Sequence, residues 1–215
     1  MKKRVGIIFC VVLLLFFIIK IREVLILNKI FSSLSEFKNA NNKYYLVNTY
    51  YENGINSLAK YYYKDNIEKI IVNNNTVGEY CEVKNLLTDE EVIYNVGRKI
   101  KYEKQQGLNF QDNLLNIPNI INIDNKDKKN ITIKKVFKIH YIIPISYENK
   151  KCYKIVTNSE IVIIDKSTYL PVYASLKSAK TNSEKTKVEY KYEFKIGTVT
   201  DDDVALPDFS DYKIE

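Results

Sequence analysis

Side chains able to do chemistry are few in this chain and widely spaced. The cysteines, Cys10, Cys81 and Cys152, form no Cys-x-x-Cys pair and no metal-ligand spacing. Cys10 lies in an apolar run. Cys81 and Cys152 read either as a disulfide formed outside the cell or, the commoner arrangement, as two buried thiols in strands. His140 is the only histidine. It sits between Ile139 and Tyr141 with no second ligand or nucleophile in register, which points to a structural role. The run Asp201-Asp202-Asp203 lacks the glycine and ligand spacing of a calcium loop and reads as a solvated turn before the tail Pro207 to Glu215. With no Ser/His/Asp or Cys/His set, neither an enzyme nor a metal or cofactor site is expected.

Charge excludes a second class of function. The formal net charge is +7, but Lys2, Lys3, Arg4, Lys20 and Arg22 precede the first acid, Glu23, and carry most of it. The remainder is nearly balanced, which argues against a nucleic-acid partner. The one basic cluster, Lys126 to Lys138, reads as a solvated loop and edge strand.

Lys2-Lys3-Arg4 is followed by the unbroken apolar run Val5 to Ile19. Those fifteen residues cover ~22 Å of a ~30 Å hydrocarbon core, and ~26 Å with Ile21 included and Lys20 snorkelling to the headgroups. The alternatives are a signal peptide and a signal anchor. Lys20-Ile21-Arg22-Glu23-Val24-Leu25 offers no small-residue cleavage triplet, which favours an uncleaved transmembrane anchor, residues 1–23, with its basic end cytoplasmic. Residues 24–215 are then one extracytoplasmic domain, placed at the cell membrane. Val24, Leu25, Leu27, Ile30, Phe31, Leu34 and Phe37, spaced by threes and fours, predict an amphipathic helix that ends near Asn39 to Asn42. Its apolar stripe either covers a sheet or lies flat on the bilayer.

From Lys43 the pattern is that of strands. Tyr44 to Glu52, Ser57 to Lys64, Ile67 to Val72, Val77 to Val83, Val92 to Val96 and Lys99 to Lys104 are separated by turn residues such as Asn53-Gly54 and Asp65-Asn66. Gly107 to Ile123 breaks the pattern, with a short helix expected over Phe110 to Asn116. Strands resume at Ile131 to Ile139, His140 to Ser146 and the block Cys152 to Leu176. The closing strand is the clearest: Val188, Tyr190, Tyr192, Phe194 and Ile196 alternate with Lys187, Glu189, Lys191, Glu193 and Lys195, giving it one dry and one wet face. Within Ser57 to Lys64, Ala59, Tyr61 and Tyr63 likewise share a face. The expected fold is mainly β with α, a curved antiparallel sheet forming an incomplete barrel covered by helices and preceded by a transmembrane helix.

That order of elements resembles the LolA-like lipoprotein-carrier superfamily. The likeness rests on Asp165-Lys166-Ser167-Thr168-Tyr169-Leu170-Pro171-Val172, on the hairpin Tyr62-Tyr63-Lys64-Asp65-Asn66, and on Ile93-Tyr94-Asn95-Val96-Gly97-Arg98-Lys99. It spans most of Val24 to Ile196 and carries over no individual functional residue. The resemblance implies a half-barrel enclosing an apolar cavity for acyl chains.

Two functions follow. One is a module that holds a lipid, a lipoprotein acyl chain or another apolar ligand, lined by Ala59, Tyr61, Tyr63, Tyr190, Tyr192 and Phe194, the two period-two apolar faces nearest in character. The other is an envelope protein-interaction or sensing domain with a filled core and no ligand. Its protein partners are not legible in the sequence.

Overall fold

The structure is a computed structural model describing residues 2–75, 78–102, 117–122, 128–177 and 187–215, with side chains described for all of these except residues 2–6 and 128–131. The expected helix Phe110 to Asn116 lies outside the described residues, as does Val77.

Helix α1 runs unbroken over Lys2–Asn39, so the boundary at residue 23 falls inside one continuous helix. Its two halves differ in surroundings. Every residue from Ile7 to Ile19 is exposed, whereas Glu23, Ile26, Leu27, Ile30, Phe31, Leu34 and Phe37 are buried at intervals of three and four. Among the described residues no helix is long and apolar enough to cross a membrane. The buried stripe packs on the sheet, so this stretch is a lid and does not lie flat on a bilayer. Each of its large apolar side chains contributes about 1.5–3 kcal/mol through burial. At the helix end the Lys43 ammonium donates to the Lys38 carbonyl, placing a cation on the negative pole of the helix.

Among the described residues a single twelve-stranded sheet follows, open and curved. Its strands are β1 (Asn42–Tyr51), β2 (Asn56–Lys64), β3 (Ile67–Asn74), β4 (Gly78–Asn85), β5 (Glu90–Asn95), β6 (Ile100–Tyr102), β7 (Tyr141–Tyr147), β8 (Lys150–Val156), β9 (Glu160–Asp165), β10 (Pro171–Lys177), β11 (Lys187–Ile196) and β12 (Lys213–Ile214). The order across the sheet is β12-β6-β5-β4-β3-β2-β1-β11-β10-β9-β8-β7. Two meanders therefore join along β1 and β11, which pair antiparallel with Tyr45 opposite Phe194 and Val47 opposite Tyr192. Two-residue turns with positive φ, Asp65-Asn66 and Glu148-Asn149, match the right-handed twist of the strands they connect. In the turn before β10, the Asp165 carboxylate accepts from the Ser167 amide (2.7 Å) and hydroxyl (2.6 Å), and these bonds hold its pKa below the usual range despite the opposing effect of burial.

The alternation read for β11 is observed. Tyr190 and Tyr192 are buried, while Lys191, Glu193 and Lys195 are exposed. Cys81 and Cys152 are buried free thiols. Burial pushes the Cys81 thiol up to about 11.

Three features depart from the sequence reading. Ile131 to Ile139, expected as a strand, with the basic cluster Lys126 to Lys138 read as a solvated loop and edge strand, falls largely in helix α2 (Lys128–Lys138). Ile131-Thr132-Ile133 alternates like a strand, but burial follows the helical positions Thr132, Val136 and Ile139, which face α1. Tertiary packing has overridden a local β preference. The second departure is the tail. Asp201–Val204 forms a short helix, α3, closed by a reciprocal capping box between Thr200 and Asp203. The third is the reach of that tail: Phe209 and Tyr212 pack on Tyr94, and Lys213–Ile214 pairs parallel with β6. The outer face of β3 to β5 is thus covered as well, giving a second small core of Cys81, Val83 and Tyr94.

Candidate functional site

The six residues read as a lining all lie on the face that α1 covers. They are not on adjacent strands. Strand β1 runs between them, with Tyr45 flanked by Tyr61 and Phe194, Val47 by Ala59 and Tyr192, and Lys43 opposite Tyr63. The result is a continuous aromatic ladder. Tyr45 stacks on Tyr61 with ring centroids 5.0 Å apart and on Phe194 at 6.0 Å, and the ladder continues through Tyr192 (6.1 Å from Phe194) to Tyr190 (6.0 Å from Tyr192). Spacings of this kind add to the stability given by area alone.

Helix α1 divides the ladder. Phe37 meets Phe194 edge-on at 4.9 Å and Tyr45 at 6.1 Å, and Tyr190 and Tyr192 are buried. That half is filled by the chain itself. Burial drives the hydroxyl pKa values of Tyr45 and Tyr192 well above the ordinary phenol range. Ala59, Tyr61 and Tyr63 on β2, with Val72 on β3 and Tyr80 on β4, are only half-buried. The register sets Ala59, Val72 and Tyr80 in one row and Tyr61, Ile70, Glu82 and Ile93 in the next. This is the part of the inner face with apolar surface to offer. The alternation of Tyr45, Val47 and Thr49 in β1 carries the signal for the intervening strand.

Carboxyls border this surface. The Tyr61 hydroxyl donates to Glu68 Oε1 at 2.6 Å, and burial together with this bond raises the Tyr61 pKa strongly. Glu82 is buried, and its Oε2 has no hydrogen-bond partner. Burial, then the neighbouring Glu91 and Glu68 carboxyls, pushes Glu82 up to about 7. Among the described residues no group of His, Cys, Asp and Glu is placed to hold a metal ion.

A separate cavity of about 510 Å³ lies near the other end of the sheet and is lined by none of the six. Lys135, Phe137 and Lys138 of α2, His140, and the turn Thr157 to Glu160 enclose it together with Asn119 and Ile120. The buried Glu160 carboxylate accepts from the Asn119 and Ile120 amides at 3.0 Å each, and so holds the 117–122 segment in place. The Lys135 ammonium donates to the Asn119 and Asn122 carbonyls, and His140 Nε2 lies 2.6 Å from Asn158 Oδ1. Three separate segments, 119–120, 135–140 and 157–160, build this cavity, so no local motif announces it.

No family model matches the chain, and no curated protein matches it. Solved structures do. An uncharacterized conserved protein from Thermus thermophilus aligns with 86% of this chain and 96% of its own at 12% identity and a TM-score of 0.44. The Pseudomonas aeruginosa MucA/MucB complex aligns at 12% identity and a TM-score of 0.44 over 86% of this chain, and a structure of MucB in complex with MucA(peri) at 11% and 0.42 over 83%. This chain spans 61% and 60% of those two matched chains. Likeness of this degree carries no conclusion about function.

Proposed function

We propose that this chain is a membrane-anchored, extracytoplasmic binding module that holds an apolar ligand, such as a lipid or a lipoprotein acyl chain, against the inner face of β2 to β4. The observation that carries this reading is the half-buried patch of Ala59, Tyr61, Tyr63, Val72 and Tyr80 on one face of β2 to β4, which continues the ladder that α1 covers elsewhere. An acyl chain laid along it gains about 0.8 kcal/mol per CH₂ buried, enough for useful affinity over a long chain after association costs. Binding and release need no bond making, so the role is non-catalytic. The anchor rests on the exposed apolar residues Ile7 to Ile19 and the basic residues before them. Titrating residues 20–215 with a fluorescent fatty acid tests the reading: saturable binding that is lost in Tyr61→Arg supports it.

The burial of Tyr190 and Tyr192 under α1 favours a second reading, a filled-core module that binds a protein. Absence of saturable binding by the folded domain supports that alternative.

A further inference from the structure

We propose that the cavity beside His140, together with the exposed side of α2, seats the phosphate headgroup of an anionic lipid in the same bilayer that anchors α1; this rests on the anchor reading above.

Position comes first. Thr132 near the start of α2 bonds Asn28 of α1 at 3.4 Å, whereas Val136 and Ile139 at its end accept from Lys20 Nζ at 3.3 and 3.1 Å. The two helices are therefore antiparallel, and the last turn of α2 lies level with Lys20. Lys20 immediately follows the exposed apolar run that ends at Ile19. With that run in hydrocarbon, the end of α2, and with it the cavity wall formed by Phe137, Lys138 and His140, sits at the headgroup layer.

Chemistry at this level fits the layer. Among the described side chains of α2, the exposed ones are Ile133 (54%), Lys134, Phe137 (70%) and Lys138, an apolar and cationic mixture on one side of the helix. Helices lying at an interface combine an aromatic or aliphatic side chain for the acyl boundary with lysines for anionic headgroups. Arg22 is exposed at the same level on α1. Inside the cavity the one buried carboxylate, Glu160, is occupied by two amides and the Asn158 side-chain oxygen by His140 Nε2, so the donors that line the space for a phosphate are the Lys138 ammonium, the Ser159 hydroxyl and the Asn158 amide nitrogen, and the Lys135 ammonium adds its positive charge from the cavity wall. A volume of about 510 Å³ suits a headgroup and is small for a whole lipid.

The chain contains no tryptophan, so a single introduced one reports its own surroundings. Full-length Phe137→Trp is reconstituted in vesicles of phosphatidylcholine brominated near the carbonyl end of its acyl chains, with or without phosphatidylglycerol. The expected result is a blue-shifted, bromine-quenched emission that needs phosphatidylglycerol and falls to the neutral-vesicle level when Lys134→Glu and Lys138→Glu are added. Ser159→Phe, which fills the cavity, is expected to remove the same dependence. Phe17→Trp in the apolar run is quenched in every vesicle if the anchor reading holds. Quenching at position 17 without quenching at 137 overturns this proposal and spares the anchor. No quenching at 17 overturns both. Quenching at 137 that ignores phosphatidylglycerol, or a dependence that survives Ser159→Phe, overturns the headgroup seat.

Discussion

Lys20 donates to the carbonyl of Ile139 at 3.1 Å, and thereby ties the first helix to the end of the second. The same ammonium donates to Val136 O at 3.3 Å and pairs at 2.8 Å with Glu23, whose side chain is 3% exposed. The snorkelling lysine expected from the sequence is instead a cap on the C-terminal end of α2, bonding the carbonyl of Val136, which also accepts from the Ile139 amide, and that of Ile139 just beyond the helix, where the negative end of the helix favours a cation. Lys20→Met leaves Glu23 buried without its partner and is expected to cost about 3–5 kcal/mol. Lys20→Met combined with Glu23→Gln is expected to recover part of that loss. Denaturant melts of the three proteins check this, and hydrogen exchange over residues 132–139 is expected to speed up in both variants.

Tyr192 and Glu193 are neighbours on opposite faces of β11. Tyr192→Asp places a carboxylate beneath α1 and is expected to cost about 3–5 kcal/mol. Glu193→Lys alters only a surface pair with Lys195 and is expected to stay within about 1 kcal/mol. Thermal unfolding of both variants checks the register, and equal melting temperatures contradict it.

Glu82 makes stability depend on pH in a defined direction. Its carboxyl is held up to about 7 in the fold, above its ordinary value of 4.5, so the folded state binds the extra proton between the two. The stabilisation is fully present below the ordinary value and is lost as pH rises through about 7, by about 1–3 kcal/mol. Glu82→Gln keeps a neutral side chain at every pH and is expected to flatten this dependence. Urea midpoints measured from below the ordinary carboxyl value of 4.5 to above about 7 check it.

The tail shields Cys81. Phe209 and Tyr212 close the small outer core that holds its thiol. Phe209→Ala with Tyr212→Ala is expected to raise the rate of maleimide labelling at Cys81 severalfold while leaving buried Cys152 unchanged, as peptide mass spectrometry can read.

Legibility followed the length and regularity of each pattern. Five alternating pairs in β11 and the threes and fours of α1 marked one burial face each, and the structure uses both, except that Leu25 of the α1 stripe and Ile196 at the end of β11 are exposed. In α2 the β-branched residues Ile131, Thr132 and Ile133 mimic a strand, and only contact with α1 selects the helix. Phe209 and Tyr212 are too isolated to signal that the tail crosses the sheet. The six candidate lining residues do share a face, but the sequence did not convey that β1 would stand between them or that α1 would cover half of them.

The most direct measurement is photo-crosslinking of a diazirine fatty acid to the full-length protein in membranes, with the modified peptides mapped by mass spectrometry. Label is expected in β2 to β4, around Tyr61, Tyr63, Val72 and Tyr80, and is expected to disappear from those peptides in Tyr61→Arg. Label confined to the apolar run before Lys20, with none on the inner face of the sheet, contradicts an acyl-binding role.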